Sequence, residues 1–231
     1  MIEKCHYVSF ELSSICNYSS IHANCPLHST PSRTILPLKI IENALTELRD
    51  NGFSGRIGWN VYNEPIIDPR LFYLLSKTKE ILPNRSSNYI LTNGVYLNQT
   101  ILDEMRQFGA DEVFVSIYFK KDEAFFNSLV GNNGLIYHTE FRELDKRLDI
   151  YSRQPLSCKL SCNAPIGEII VKSTGDIVLC CLDWKHSKVF GNLNNNTLIE
   201  IVNSEEFKRV NDELQKGERT LPICQRCDWQ R

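Results

Sequence analysis

The sequence predicts an α/β fold in which a parallel sheet fills the first part of the chain and a small β-hairpin-plus-helix region follows. Two observations carry this. From residue 6 to about 120, short β-rich runs alternate with helical patterns, as βα units do. Beyond Cys158 the alternation stops, and a hairpin pattern and an amphipathic helix replace it. The chain has 231 residues, 42% hydrophobic and 23% charged, enough for one substantial core and a small appendage.

The strands are expected at residues 7–11, 56–61, 88–92 and 112–118, each rich in β-branched or aromatic side chains. Between them Leu38, Ile41, Leu45 and Leu48 recur at helical spacing. Asp68-Pro69 opens a second helix, with proline in the tolerated first turn, and Asn98 opens a third. Residues 121–155 are charged and mostly helical in pattern, a bridge to the second region. There, residues 168–179 form a hairpin turning at Ser173-Thr174-Gly175-Asp176. Leu198, Ile201, Val202, Phe207, Val210 and Leu214 mark one helix, closed near Gly217. In a parallel sheet, chemistry collects at the carboxyl ends of the strands, so loops 12–37, 62–68, 93–97 and 118–123 are the candidates. The first, at about 26 residues, exceeds the ~12–15 of ordinary connections.

A net charge of -2 offers no basic footprint for nucleic acid or an anionic membrane surface, so a small molecule or a peptide is the expected partner. No stretch has the ~20 apolar residues of a membrane span and none has signal-peptide character at the start, which predicts a cytoplasmic protein. Nine cysteines in such a chain point to metal binding in preference to disulfides.

Cys162 and Cys180 are separated by 17 residues, and Cys224 and Cys227 form a C-x2-C pair. Two thiolates on a turn and two at the ends of a hairpin can enclose a metal ion or a cubane cluster; on spacing alone, structural zinc and iron-sulfur are equal alternatives. Cys158 and Cys181 are read as small buried hydrophobes, with Cys158 a substitute ligand if the register differs.

The stretch from Cys162 through Gly175 and Cys180, the Cys180-Cys181-Leu182-Asp183-Trp184 segment, Gly191-Asn192-Leu193, the following helix and Cys224-x2-Cys227 resembles the twitch domain. This is the shortened form of the SPASM domain found behind radical S-adenosylmethionine barrels. The resemblance implies a partial (β/α) barrel over residues 1–155 and an auxiliary-cluster domain over 156–231, with Cys162, Cys180, Cys224 and Cys227 as ligands of a 4Fe-4S cluster. It implies one auxiliary cluster, since the sequence stops four residues after Cys227.

Members of that superfamily hold a catalytic cluster through C-x3-C-x2-C after the first strand, leaving one iron for the cosubstrate. Phe10-Glu11-Leu12-Ser13-Ser14-Ile15-Cys16-Asn17 resembles the approach to that loop, but the strict register lands on Ser20 and Ala23. The register Cys16-x8-Cys25-Pro26-Leu27-His28 keeps a Cys-Pro-x-ligand ending and makes His28 the third ligand. Alternatives are a zinc site of Cys16, His22, Cys25 and His28, or histidines that are ordinary loop residues; Cys5, before the strand, lies too far away. Tyr62-Asn63-Glu64-Pro65 resembles the family's Gly-Gly-Glu-Pro segment, and Thr92-Asn93-Gly94 and Ser116 resemble its cosubstrate-lining positions. The expected cofactor-binding residues are therefore Tyr62, Asn63, Glu64, Thr92, Asn93 and Ser116.

What the resemblance implies is a radical S-adenosylmethionine oxidoreductase or epimerase with two 4Fe-4S clusters. An external electron donor such as flavodoxin or ferredoxin would reduce it. A 5'-deoxyadenosyl radical would take a hydrogen atom from a small polar metabolite, a sugar or aminocyclitol alcohol. The competing functions are modification of a ribosomally made peptide, and a non-catalytic metal-binding protein with a degenerate cluster loop.

Overall fold

A computed structural model describes residues 2–22, 25–29, 33–142, 150–156 and 160–228; Ala23 and Cys158 lie outside the described residues. Strands β1 (Tyr7–Phe10), β2 (Gly55–Gly58), β3 (Ser86–Thr92), β4 (Ala110–Ile117), β5 (Ile136–Phe141) and β6 (Glu168–Val171) run parallel. Strands β7 (Asp176–Val178) and β8 (Val189–Asn192) continue the same sheet antiparallel. The order is β5-β4-β3-β2-β1-β6-β7-β8, an open sheet and not a closed barrel.

Alternation gives the sheet two different faces. Val8, Phe10, Ile57, Ile90, Val113, Val115, Ile117, Ile169, Val171 and Ile177 point to one side and are buried in the main core. That side is covered by helices α1 (Leu38–Asp50), α2 (Leu71–Ile81) and α3 (Gln99–Gln107), whose own apolar stripes join the same core. The register places Ser9, Gly58, Tyr89, Glu112 and Ile136 in one row on the opposite face, with Leu91, Phe114 and His138 in the next. This second face is polar and aromatic.

Most expected elements form, with shifts that have local causes. Asn98 caps α3, its side chain accepting from the Ile101 N–H at 3.0 Å. Pro69 does not enter α2: Asp68 accepts from the backbone and guanidinium of Arg70, and the helix begins at Leu71. The charged bridge is not mostly helical. It holds a short helix α4 (Glu123–Ser128) and strand β5; residues 143–149 lie outside the described part. The single helix expected after Thr197 is two, α5 (Leu198–Asn203) and α6 (Glu205–Gln215). Ser204 ends one and caps the next, accepting from Phe207 N–H. The hairpin turns as expected, with Gly175 at φ +88°, a conformation that favours glycine. Among the described residues no helix is long and apolar enough to cross a membrane.

Candidate functional site

The carboxyl ends of β1 to β4 surround a partly open cavity. Cys16, Cys25, Tyr62, Asn63, Glu64, Thr92, Asn93 and Ser116, all expected site residues, line it. Tyr18, Asn60 and Tyr118 line it too, and sequence reasoning did not assign them there; His22 also lines it, which the sequence offered only in the alternative zinc site with Cys16, Cys25 and His28.

Glu64 organises the floor. It is 3% exposed, and its carboxylate accepts from Thr92 Oγ1 (2.6 Å), Asn93 N–H (2.8 Å) and Ile66 N–H (3.2 Å). Burial raises its pKa, and the bonds from Asn93, Thr92 and Ile66 oppose that shift. The Asn93 side chain then donates to Asn17 Oδ1 at 2.8 Å and approaches Cys16 Sγ at 3.9 Å, so the β3 end is tied to the cysteine loop. Asn63 serves its own turn: it accepts from Val61 N–H and donates to the Trp59 carbonyl. Asn60 accepts from Leu91 N–H at 3.0 Å, which fixes the end of β2 against β3.

In the cysteine loop the structure brings Cys16 and Cys25 together with His22, but not with His28. The exposed His28 ring donates from Nε2 to the Ser19 carbonyl at 2.8 Å and does not line the cavity. The spacing had favoured His28; the fold turns it outward. Cys5 is buried in the main core, 1% exposed, as expected for a cysteine before the strand.

Cys162, Cys180, Cys224 and Cys227 line a second, smaller cavity, with Ile150, Leu179, Leu214 and Ile223 as its apolar wall. Arg219 fixes the C-x2-C turn by donating to the carbonyls of Cys224 (3.2 Å) and Cys227 (2.6 Å). Cys162 N–H donates to the Leu214 carbonyl on α6, and Ala164 N–H donates to Cys162 Sγ at 3.4 Å. Burial, then the neighbouring Cys162 and Cys227, push the Cys224 thiol up to about 12. Burial also pushes Cys180 well above the ordinary thiol value, with Cys181 adding to it and the N–H groups of Leu182 and Asp183 opposing it. Four cysteines lining an apolar pocket, with Cys180 and Cys224 held in the neutral form, fit a cationic iron-sulfur core, which would remove the penalty on those two thiolates on binding. Cys181 is not in this wall; its carbonyl accepts from the Tyr62 hydroxyl at 2.7 Å.

Packed side chains on the second face of the sheet link the linings of the two cavities. Cys25, Val61, Tyr62, Ile170 and Val178 form a small buried cluster against which Cys16, Cys181 and Trp184 pack. Trp184 also packs against the cluster that holds the four C-terminal cysteines. Beneath Tyr62 lies a buried ion pair, Lys172 with Glu11, 1% and 0% exposed at their side chains. The ammonium sits 4.1 Å from the Tyr62 ring centroid, and Glu11 also accepts from Ser173 N–H and hydroxyl. Among the described residues the indole nitrogen of Trp184 and Nε2 of His186 are buried without a hydrogen-bond partner.

Comparison with known proteins agrees with this arrangement. Residues 162–228 match the SPASM iron-sulfur cluster-binding domain. Over 96% of its length the chain is 22% identical to the S-adenosyl-L-methionine-dependent 2-deoxy-scyllo-inosamine dehydrogenase of Niallia circulans, and it spans 92% of that protein. The fold matches that of BtrN in complex with AdoMet and 2-DOIA with a TM-score of 0.81 at 21% identity, covering 97% of this chain and 93% of the other. It also matches anSMEcpe with bound AdoMet, at a TM-score of 0.62 and 13% identity, over 97% and 86% of the two chains. The chain thus resembles radical S-adenosylmethionine enzymes along nearly its whole length and ends in a SPASM-type domain.

Proposed function

We propose that this chain is a radical S-adenosylmethionine oxidoreductase acting on a small polar alcohol of the aminocyclitol or sugar class, with one 4Fe-4S cluster in each cavity. The observation that carries this reading is the placement of two cysteine-lined cavities on one open sheet. One is bordered by Glu64, Thr92, Asn93 and Ser116 at the strand ends, the other by four cysteines of a SPASM-type domain. When bound, the first cluster with S-adenosylmethionine supplies a hydrogen-abstracting radical, and the second an electron acceptor for net two-electron oxidation.

The chain's own residues bind, orient and exclude water. Cys16 and Cys25 would hold the first cluster; Tyr62, Asn63, Glu64, Thr92, Asn93 and Ser116 would shape the cosubstrate pocket. Cys162, Cys180, Cys224 and Cys227 would hold the second cluster. The polar face of the sheet supports a hydroxyl-rich substrate. It carries His138 beside Phe114, Arg142 over Phe114 and paired with Glu140 at 2.8 Å, and Arg56 paired with Glu112 at 3.2 Å. An external donor such as flavodoxin or ferredoxin would deliver the initiating electron. Near-complete coverage of the aminocyclitol dehydrogenase supports this substrate class over a ribosomally made peptide.

The test is anaerobic turnover with S-adenosylmethionine, a reductant and a panel of aminocyclitols and sugar alcohols that includes 2-deoxy-scyllo-inosamine. The expected result is a ketone product formed in step with 5'-deoxyadenosine. Deoxyadenosine without oxidation of any alcohol would contradict the substrate class, and its absence would contradict the reaction class.

A further inference from the structure

We infer that His22 is the third protein ligand of the cluster in the strand-end cavity, completing a Cys16-x5-His22-x2-Cys25 set. The inference rests on the reading of that cavity as a cluster site. A cluster that leaves one iron open needs three protein donors, and two of them, Cys16 and Cys25, line the cavity.

Two other candidates, Glu64 and His28, are placed differently. Glu64 lines the cavity, but its oxygens already accept from Thr92, Asn93 and Ile66. His28 stands three residues beyond Cys25, the spacing that suggested it, yet its ring is exposed, does not line the cavity and donates to the Ser19 carbonyl at 2.8 Å. His22 stands three residues before Cys25, an equivalent spacing on the other side, and it lines the cavity.

The loop backbone fixes this choice. His22 N–H donates to the Tyr18 carbonyl and Cys25 N–H to the His22 carbonyl, so consecutive tight turns present His22 and Cys25 from one short segment. The imidazole is seated edge-on against the Tyr118 ring, with centroids 4.9 Å apart. Tyr118 follows β4 and itself lines the cavity, and Tyr18 packs against it at 5.7 Å. Tyr18 N–H also donates to Cys16 Sγ at 3.4 Å, which ties the start of the loop to the same aromatic pair. Among the described residues no three His, Cys, Asp or Glu side chains converge on one metal-ion position. In a cubane each ligand binds its own iron, so the three donors need to border a common cavity and not to meet at a point.

Imidazole is neutral where thiolate is anionic, so the cluster carries less negative charge and a higher reduction potential than an all-thiolate one. The test uses the full chain, reconstituted anaerobically with iron and sulfide and labelled with 15N-histidine. Wild type is expected to bind about eight iron, two four-iron clusters, and His22→Ala about four. Pulsed EPR of the reduced wild type should show a strongly coupled histidine nitrogen. His22→Cys should keep the iron, lose that coupling and shift one cluster to lower potential, while His28→Ala should keep both iron and coupling. Loss of the coupling in His28→Ala, or its survival in His22→Cys, would overturn the assignment. Cys16→Ala separates this from the underlying reading: if it leaves the iron content unchanged, the cavity is not a cluster site at all.

Discussion

Glu64, which follows Tyr62 and Asn63 beyond the end of β2, ties neighbouring strand ends together. Its carboxylate is buried and accepts three hydrogen bonds, two of them from the β3 end, so it sets the distance between neighbouring strand ends. Glu64→Gln keeps the shape but turns an acceptor oxygen into a donor facing the Ile66 N–H or the Asn93 N–H. The unsatisfied group should cost about 1–3 kcal/mol, read as a lower denaturation midpoint and weaker binding of S-adenosylmethionine in equilibrium dialysis. At this scale the lining of the cavity was largely legible: the cysteines through their spacing, Glu64, Thr92 and Ser116 through their resemblance to a family's strand-end segments. The third cluster donor was not. His22 and His28 each stand three residues from Cys25, and only the fold of the loop decides which imidazole lines the cavity.

Elements were legible where burial imposed a period. α1 and α3 bury one stripe, and their apolar residues recur at helical spacing. β5 pairs with β4 alone at the sheet edge, and none of its residues is fully buried, so Ile136–Phe141 carries no alternating apolar signal inside a charged stretch. The break at Ser204 was hidden for the opposite reason: Leu198, Ile201, Val202, Phe207, Val210 and Leu214 are all buried, and their spacing runs on through the cap. The Lys172–Glu11 pair joins the ends of β6 and β1 and was invisible in a sequence where both are ordinary strand-end charges. Lys172→Met would leave Glu11 buried without its counter-charge, at a cost of about 3–5 kcal/mol. Adding Glu11→Gln removes the orphan charge while keeping an acceptor for Ser173, so the double variant should be more stable than Lys172→Met alone. Urea unfolding of the three proteins measures this, and a double variant no more stable than the single would show that the charge is not the cause.

The whole molecule couples its two parts more closely than their sequence patterns suggest. β6, β7 and β8 follow the expected boundary at residue 155, yet β6 pairs directly with β1, and one sheet runs from β5 to β8. Consequently the four-cysteine cavity and the strand-end cavity are joined by packed side chains, with Trp184 in contact with both groups and Tyr62 bonded to the Cys181 carbonyl. This continuity supports a function that needs both cavities in one turnover, hydrogen abstraction at one and electron acceptance at the other. The most direct test is iron quantification by Mössbauer spectroscopy on the anaerobically reconstituted chain, with 5'-deoxyadenosine assayed on reduction in the same sample. Two clusters, about eight iron per chain, together with released 5'-deoxyadenosine are the predicted result; about four iron with no nucleoside released would contradict it.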